Sequence, residues 1–334
     1  MKIAIIGLGA IGLDFSNKLI SSGISLTGFT RKPVGSYKVF EKNKSSKLII
    51  ESYNRPRSED LGCYDLIVFA LKNQILVRTL SIYLPLLKKD GYVLCLQNGI
   101  MEYFIAEHFP VNRLLGAVAA GNSIYNPPDT VNISHPVAYT IGAFNSFHNA
   151  DRTYTDLIEI FSKVPRVKIV PNILSAKWKK LLFSSILNPL SAICGATADK
   201  ILKNDIAVEV GLKIIDEILQ VADCEGVEIS KSKLFSPYIL KSNNQIPHII
   251  KHGLLHLLAP AIKGMVISML QDIEAGRETE IDYINGMVKR LADTHNISVP
   301  FNVLTIQIVK EIEEKKVLPS FNNLERYRKL LDTV

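Results

Sequence analysis

Lys180, Ser184 and Asn188 are spaced four residues apart, so on a helix they share one face. They sit in Lys177-Trp178-Lys179-Lys180-Leu181-Leu182-Phe183-Ser184-Ser185-Ile186-Leu187-Asn188-Pro189. A lysine in such an apolar stretch is partly desolvated. That lowers its pKa and makes it a usable proton donor near neutral pH. The plainer alternative is a solvated polar stripe, for which Leu181, Leu182, Phe183, Ile186 and Leu187 leave little exposed surface. Pro189 has no N–H to continue the ladder and is expected to kink the helix beside Asn188.

A second group of residues suits an anion. The apolar run Lys2–Ile6 leads into Gly7-Leu8-Gly9-Ala10-Ile11-Gly12, and an amphipathic stretch follows. Gly7 suits a tight turn, Gly9 lets backbone approach a pyrophosphate, and Gly12 lets helix and strand pack closely. The helix start would present free N–H groups and its positive dipole end to phosphates. The next apolar run, Ile24–Phe29, ends in Thr30-Arg31-Lys32. An NAD site commonly places a carboxylate here for the ribose 2′-hydroxyl. Two cations and a hydroxyl suit a 2′-phosphate instead, so NADPH is the expected cofactor. The alternative is that Arg31 and Lys32 are solvated strand-end charges.

Three further segments carry polar groups where strands or helices end. Lys72, in Ala70-Leu71-Lys72-Asn73, could reach a phosphate or ribose. Asn98, in Leu96-Gln97-Asn98-Gly99, could contact a ribose hydroxyl or a substrate oxygen, although Asn-Gly is also an ordinary turn. In Ser268–Gly286 one helix is expected to end at Gly276 and another to begin near Thr279 or Glu280. A carboxylate at a helix start is stabilised by the dipole, which would suffice to explain Glu280 alone.

Candidate strands at Lys2–Ile6, Ser25–Thr30, Leu66–Leu71, Tyr92–Leu96 and Leu114–Ala119 must position these groups. They alternate with helical stretches at Ala10–Ser22, Ile75–Leu87 and Met101–His108. Such alternation means a doubly wound parallel sheet. A short antiparallel hairpin is expected around His135-Pro136, joining Thr130–Ser134 to Val137–Phe144. A helix near Tyr154–Ser162 and a last strand at Val167–Val170 follow. Beyond Ser175 strand signals almost vanish, and Leu174–Ile193, Ile201–Cys224, Pro247–Glu274, Glu280–Thr294 and Val303–Lys315 read as helices. Ser230–Asn244 reads as a polar connection. The fold class is α/β: an N-terminal Rossmann-type doubly wound parallel sheet, residues 1–171, plus a C-terminal all-helical domain, residues 172–334.

A chain of 334 residues can form two sizeable cores. Its charge of +7 is spread over scattered Lys and Arg, with no basic run interleaved with aromatics, which argues against a nucleic-acid partner. The four cysteines show no C-x-x-C spacing and fit a reducing compartment. His248, His252 and His256 recur every four residues, yet no carboxylate or cysteine stands nearby in the sequence to complete a metal set. One stripe of an ordinary helix is the simpler reading, and no metal is expected. No apolar run reaches membrane-spanning length, and the chain opens directly on a strand, so no membrane partner and a cytoplasmic location are expected.

Taken together, these segments resemble the ketopantoate reductase family over nearly the full length. The resemblance is carried by the glycine-rich start, by Gln97-Asn98-Gly99, by Trp178-x-Lys180-Leu181 through Asn188-Pro189-Leu190-Ser191-Ala192, and by Ser268-Met269-Leu270-Gln271-Asp272 through Gly276-Arg277-x-Thr279-Glu280-Ile281-Asp282. It implies NADPH-dependent reduction of a 2-oxo acid to a 2-hydroxy acid, 2-dehydropantoate to pantoate in the first instance. On that likeness Lys180 matches the catalytic lysine, and Glu280 its acidic partner near the nicotinamide ribose. Ser268 matches a substrate-carboxylate ligand. Asn98 and Asn188 match substrate or cofactor contacts, Ser184 is a candidate substrate contact through the helix face it shares with Lys180 and Asn188, and Arg31 and Lys72 match contacts to the NADP phosphate and ribose. The chain departs from the pattern where asparagines are frequent: Ser184, Ala198 within Thr197-Ala198-Asp199, and Met265 stand there instead. Losing such donors weakens selection for a hydroxylated substrate. A reductase of a more apolar 2-oxo acid is therefore a competing expectation, and a non-catalytic NADP-binding sensor a third. The long apolar helices could bury against each other or against a second copy of the chain.

Overall fold

The computed structural model describes residues 1–41, 44–145, 151–229, 237–241 and 246–332. The chain divides into two compact units, Met1–Leu174 and Ser175–Val334.

Short apolar runs become the middle strands of the first unit because both of their faces are covered. In β1 (Ile3–Ile6) every residue is buried. After it come α1 (Ala10–Ser21), β2 (Thr27–Phe29), β3 (Ser36–Glu41), β4 (Lys44–Ile49), β5 (Glu51–Tyr53), β6 (Tyr64–Phe69), α2 (Asn73–Tyr83), β7 (Leu87–Cys95), α3 (Glu102–Ala106), β8 (Leu114–Asn126), β9 (Thr130–Ala143), α4 (Arg152–Ser162) and β10 (Val167–Asn172). One sheet orders the strands β4-β3-β9-β8-β7-β6-β1-β2-β5, with β10 beside β9. Strands β5, β2, β1, β6, β7 and β8 run parallel, so the carboxyl ends of β1, β2, β6 and β7 share one edge of the sheet. Chain order reverses between β1 and β6, the place where open α/β sheets bind ligands.

The expected hairpin around His135-Pro136 is corrected. Residues 130–143 form a single strand, antiparallel to a β8 that runs seven residues beyond Ala119, to Asn126. The chain instead reverses at residues 127–129, a turn that contains the cis Pro127-Pro128 bond. His135-Pro136 lies inside the ladder where its register shifts between Ala120 and Asn122. Pro136 has no N–H to donate, and opposite it Gly121 has φ +149, where a Cβ would meet the Val137 Cα at 2.6 Å. A bulge thus absorbs the proline without ending the strand. Beyond β8, β9 pairs with β3 through Thr130–Ile133 and with β10 through Tyr139–Ala143.

α1 is tied to β9 by a buried cluster. The Tyr139 hydroxyl donates to Asp14 Oδ2 at 2.7 Å, and Lys18 Nζ reaches Asp14 Oδ1 at 3.2 Å. Burial raises the Asp14 pKa while Lys18 opposes the rise.

The second unit contains α5 (Leu174–Cys194), α6 (Ala198–Leu202), α7 (Asp205–Cys224), α8 (His248–Leu258), α9 (Ser268–Glu274), α10 (Ile281–Thr294), α11 (Pro300–Glu313) and α12 (Arg328–Leu331). Two expected long helices are broken. Residues 198–224 form α6 and α7, because Asn204 caps a new start by accepting from the Ala207 N–H at 2.9 Å. Residues 247–274 are interrupted after Leu258 by Pro260 and by Gly264, whose φ is +71. Most of the polar connection 230–244 falls outside the described residues.

α5 continues through Pro189 for 21 residues. The missing N–H of Pro189 frees the Ser185 carbonyl, which instead accepts from Asn285 Nδ2 of α10 at 2.9 Å. The same Nδ2 donates to Asn302 Oδ1 of α11 at 2.9 Å. Asn302 in turn donates from Nδ2 to Glu217 of α7 at 2.7 Å, and Glu217 also accepts the backbone N–H groups of Phe301 and Asn302. A buried polar chain therefore joins four helices at the point where the proline breaks α5's own ladder. Burial pushes the Glu217 carboxyl up to about 7 against those N–H donors.

Asn285→Ala leaves the Ser185 carbonyl and Asn302 without this donor. It is expected to destabilise the second unit by about 2–4 kcal/mol, measured by denaturant unfolding.

Candidate active site

The glycine-rich turn is built by close approach. Gly7 has φ +100, and a Cβ there would lie 2.8 Å from the Ala70 carbonyl oxygen at the end of β6. A Cβ on Gly12 would lie 1.9 Å from the Gly7 carbonyl oxygen. Gly9 is different, because a Cβ there would meet nothing within 4 Å. It caps α1 without offering a side chain. The first N–H groups of α1, at Ala10, Ile11 and Gly12, have no acceptor within the helix. Two glycines therefore close the turn on β6, and the third leaves open space before a helix start. These residues fit a dinucleotide pyrophosphate. Leu8 packs onto β2, where a Cβ on Gly28 would meet Leu8 Cδ1 at 2.7 Å.

Arg31 and Lys32 are exposed just beyond the carboxyl end of β2. Lys72 follows β6 and occupies the cap position of α2. Asn98 follows β7, and its neighbour Gly99 has φ +77, so the Asn-Gly turn does form there. Two amides in the same segments, to which the sequence assigned no role of their own, clasp these loops together. The buried Asn73 donates from Nδ2 to the Asn98 carbonyl at 3.2 Å, and Gln97 donates from Nε2 to the Leu71 carbonyl at 3.2 Å. Their only trace in the sequence is an amide at the end of each apolar run.

In the helical unit the polar face of α5 forms as its spacing requires. Lys180 is part-buried, and desolvation pushes its amine down to about 8. The neighbouring Lys177, which is buried, lowers it further, and Glu280 opposes both. Lys177 was not singled out in the sequence, although its place three residues before Lys180, on the same helix face, was visible. Glu280 is buried at the cap of α10 and makes no side-chain cap bond there, so the dipole does not claim its carboxylate through a hydrogen bond to α10. Ser268 begins α9 and donates to Asn188 Oδ1 at 3.2 Å. Asn188 donates to the Ser184 carbonyl at 2.9 Å. Lys180, Ser184, Asn188 and Ser268 thus form one line, with Glu280 acting on its lysine end.

The departures from the family pattern are occupied internally. The Ser184 hydroxyl donates back to its own helix, 3.1 Å from the Lys180 carbonyl. The Ala198 N–H donates to the Met265 carbonyl at 3.0 Å. Asp199 accepts from the Thr197 hydroxyl at 2.8 Å and from the Gly264 N–H at 3.0 Å, and these donors hold its carboxyl below the usual range. The Met265 side chain is exposed.

The expectation that no carboxylate completes the histidine face is corrected. Asp205 and Glu209 of α7 lie against His252 and His256 of α8. The sequence hid this because the carboxylates come from an earlier helix.

A doubly wound sheet with a phosphate-accepting turn, together with a helical unit that holds a desolvated lysine near a carboxylate, defines a nicotinamide-dependent oxidoreductase acting on CH–OH groups. Residues 3–146 match the family model for ketopantoate reductase PanE/ApbA, and residues 172–313 match the model for its C-terminal part. The chain belongs to the ketopantoate reductase family. It is 27% identical to the 2-dehydropantoate 2-reductase of Shigella flexneri, over 94% of this chain and 96% of that one. Against the Pyrococcus abyssi 2-dehydropantoate 2-reductase it is 25% identical, over 93% and 97%. Among solved structures, D-mandelate dehydrogenase with NADH and anilino(oxo)acetate shares the fold at a TM-score of 0.77 and 22% identity, covering 94% of this chain and 99% of that one. The 2-dehydropantoate 2-reductase of Geobacter metallireducens does so at 0.76 and 23%, covering 93% and 99%. A ketopantoate reductase from Staphylococcus aureus described as dimeric matches at 0.72 and 20%, covering 95% and 100%. Among the described residues no helix is long and apolar enough to cross a membrane.

Gly12→Ala forces the Gly7 turn apart and is expected to weaken binding of the reduced nicotinamide cofactor at least tenfold, read by fluorescence titration. Lys177→Met removes a positive neighbour. The Lys180 amine, near 8 in the parent, should then titrate at higher pH, read from the pH dependence of turnover, while affinity for the nicotinamide cofactor holds.

Proposed function

We propose that this chain reduces a 2-oxo acid to the 2-hydroxy acid with NADPH, and that 2-dehydropantoate is its substrate. The observation that carries this reading is the Lys180 amine, pushed down to about 8 by burial and by Lys177. Below that pH the ammonium hydrogen-bonds the 2-oxo oxygen and meets the negative charge that develops on it. Reduced nicotinamide, when bound, supplies the hydride to C2. The oxygen takes its proton from Lys180 Nζ, and solvent returns a proton to the amine. Atoms and charge balance with one proton consumed per turnover.

Glu280 supports the ammonium form, since its carboxylate raises the Lys180 pKa against burial. Ser268, held by Asn188, takes the substrate carboxylate. Gly7, Leu8, Gly9, Ala10, Ile11 and Gly12 hold the pyrophosphate. Arg31 holds the 2′-phosphate, and Lys72 and Asn98 hold the ribose side. A second copy of the chain is the proposed partner. The activity would belong to pantothenate biosynthesis in the cytoplasm.

A second reading keeps the reaction and changes the acid. The Ser184 hydroxyl is bound to its own helix, Ala198 has no side-chain donor, and the Asp199 carboxylate is an acceptor, already receiving bonds from Thr197 and Gly264. Fewer free donors favour a 2-oxo acid with a more apolar tail.

A panel of 2-oxo acids assayed with NADPH and with NADH separates the readings. Turnover of 2-dehydropantoate with the highest kcat/KM supports the first. A tenfold better apolar acceptor establishes the second, and NADPH binding without oxidation by any 2-oxo acid leaves only a sensor. Lys180→Ala should lower kcat by at least a thousandfold with the NADPH Kd unchanged. Arg31→Ala should raise KM for NADPH about tenfold and leave KM for NADH within twofold.

A further inference from the structure

We propose that Asp205, His252 and His256 form a binding site for a zinc-type divalent cation, outside the reductase chemistry. α7 opens with Asp205 and carries Glu209 four residues on, and α8 carries His252 and His256 four residues apart. Residues at that spacing share a helix face, one turn or about 6 Å apart along the axis. The partners are crossed: His252 Nε2 lies 3.0 Å from Glu209 Oε2, and His256 Nε2 lies 3.6 Å from Asp205 Oδ1. The two helix faces therefore run antiparallel, and their rungs coincide.

One ligand atom from each of Asp205, His252 and His256 lies within 4.8 Å of the other two. Tetrahedral zinc holds nitrogen and oxygen ligands about 3.3 Å apart, given bonds of about 2.0–2.2 Å. The side chain of Asp205 is 84% exposed, so it can turn to close that gap. His256 Nε2 is a buried atom with no hydrogen-bond partner among the described residues. A buried imidazole nitrogen in that state asks for a proton donor, an acceptor or a metal. Glu209 supplies the carboxylate that commonly orients a metal-bound imidazole. Two imidazoles and one carboxylate suit zinc and its neighbours, whereas magnesium and calcium prefer all-oxygen sets.

The position gives the site a use. α8 exposes Ile249 and Leu257, so the described residues cover it on one side only. A bound ion pins α8 to the first turn of α7.

The test uses the full chain without a histidine tag, with zinc or cobalt chloride as the probe. One zinc per chain should bind by equilibrium dialysis, cobalt should show visible absorption of tetrahedral type, and Tm should rise by about 5 °C and fall back with EDTA. Asp205→Asn and His256→Gln should each weaken binding at least tenfold, while NADPH-dependent turnover in EDTA stays at the parent level, which shows both variants folded. Less than half a zinc per chain overturns the proposal. So does undiminished binding in a chain carrying His252→Ala and His256→Ala, which would assign the metal to thiols such as the exposed Cys224.

Discussion

The helical unit is organised around a single constraint: packing desolvates Lys180 while the helix that carries it runs on through a proline. Desolvation is what brings its amine into the range where it can give up a proton, and desolvation requires close packing on α5. Close packing leaves no water to repair the backbone where Pro189 interrupts the ladder. The repair comes from the side chain of Asn285, which reaches the Ser185 carbonyl and leans on Asn302 and Glu217 behind it. Ser185, one helical position beyond Ser184, is thus held from α10, the helix whose cap is Glu280. The group that tunes the lysine and the group that keeps its helix whole belong to the same element.

Opposing charges on Lys180 decide its state. Burial and Lys177 favour the neutral amine, and Glu280 favours the ammonium. A lysine with only the first two influences would be a weak donor at neutral pH, and one with only the last would hold its proton too tightly. In the first unit the corresponding economy is steric. Gly7 and Gly12 bring backbone within contact of β6 and of the turn itself, and Gly9 leaves open space before the start of α1.

The parallel strands and the helix that follows the glycines were legible because burial on two faces writes a continuous apolar run. The strands β3 and β4 were not read. Tyr37 and Val39 do alternate with exposed neighbours, but β4 buries only Leu48 and is an edge strand with little to mark it. The reversal at 127–129 was misplaced because Pro136 looks like a turn residue. Only the facing Gly121 shows that a bulge accommodates it. The helix breaks at Asn204 and after Leu258 were missed because apolar spacing persists across both.

Local chemistry determined a good deal without any tertiary information. The spacing of Lys180, Ser184 and Asn188 is a property of helix geometry, and the glycines dictate their own turn. Other features depend on residues that meet only after folding, which no local pattern can encode. The partners of Ser185, the bond from Gly264 to Asp199, the joining of Ser268 to Asn188 and the convergence of Asp205 with His256 all span tens of residues. The sequence by itself therefore determined which groups can do chemistry. The tertiary structure decided which remain available to do it, because a donor already satisfied within the fold has nothing left to offer a ligand.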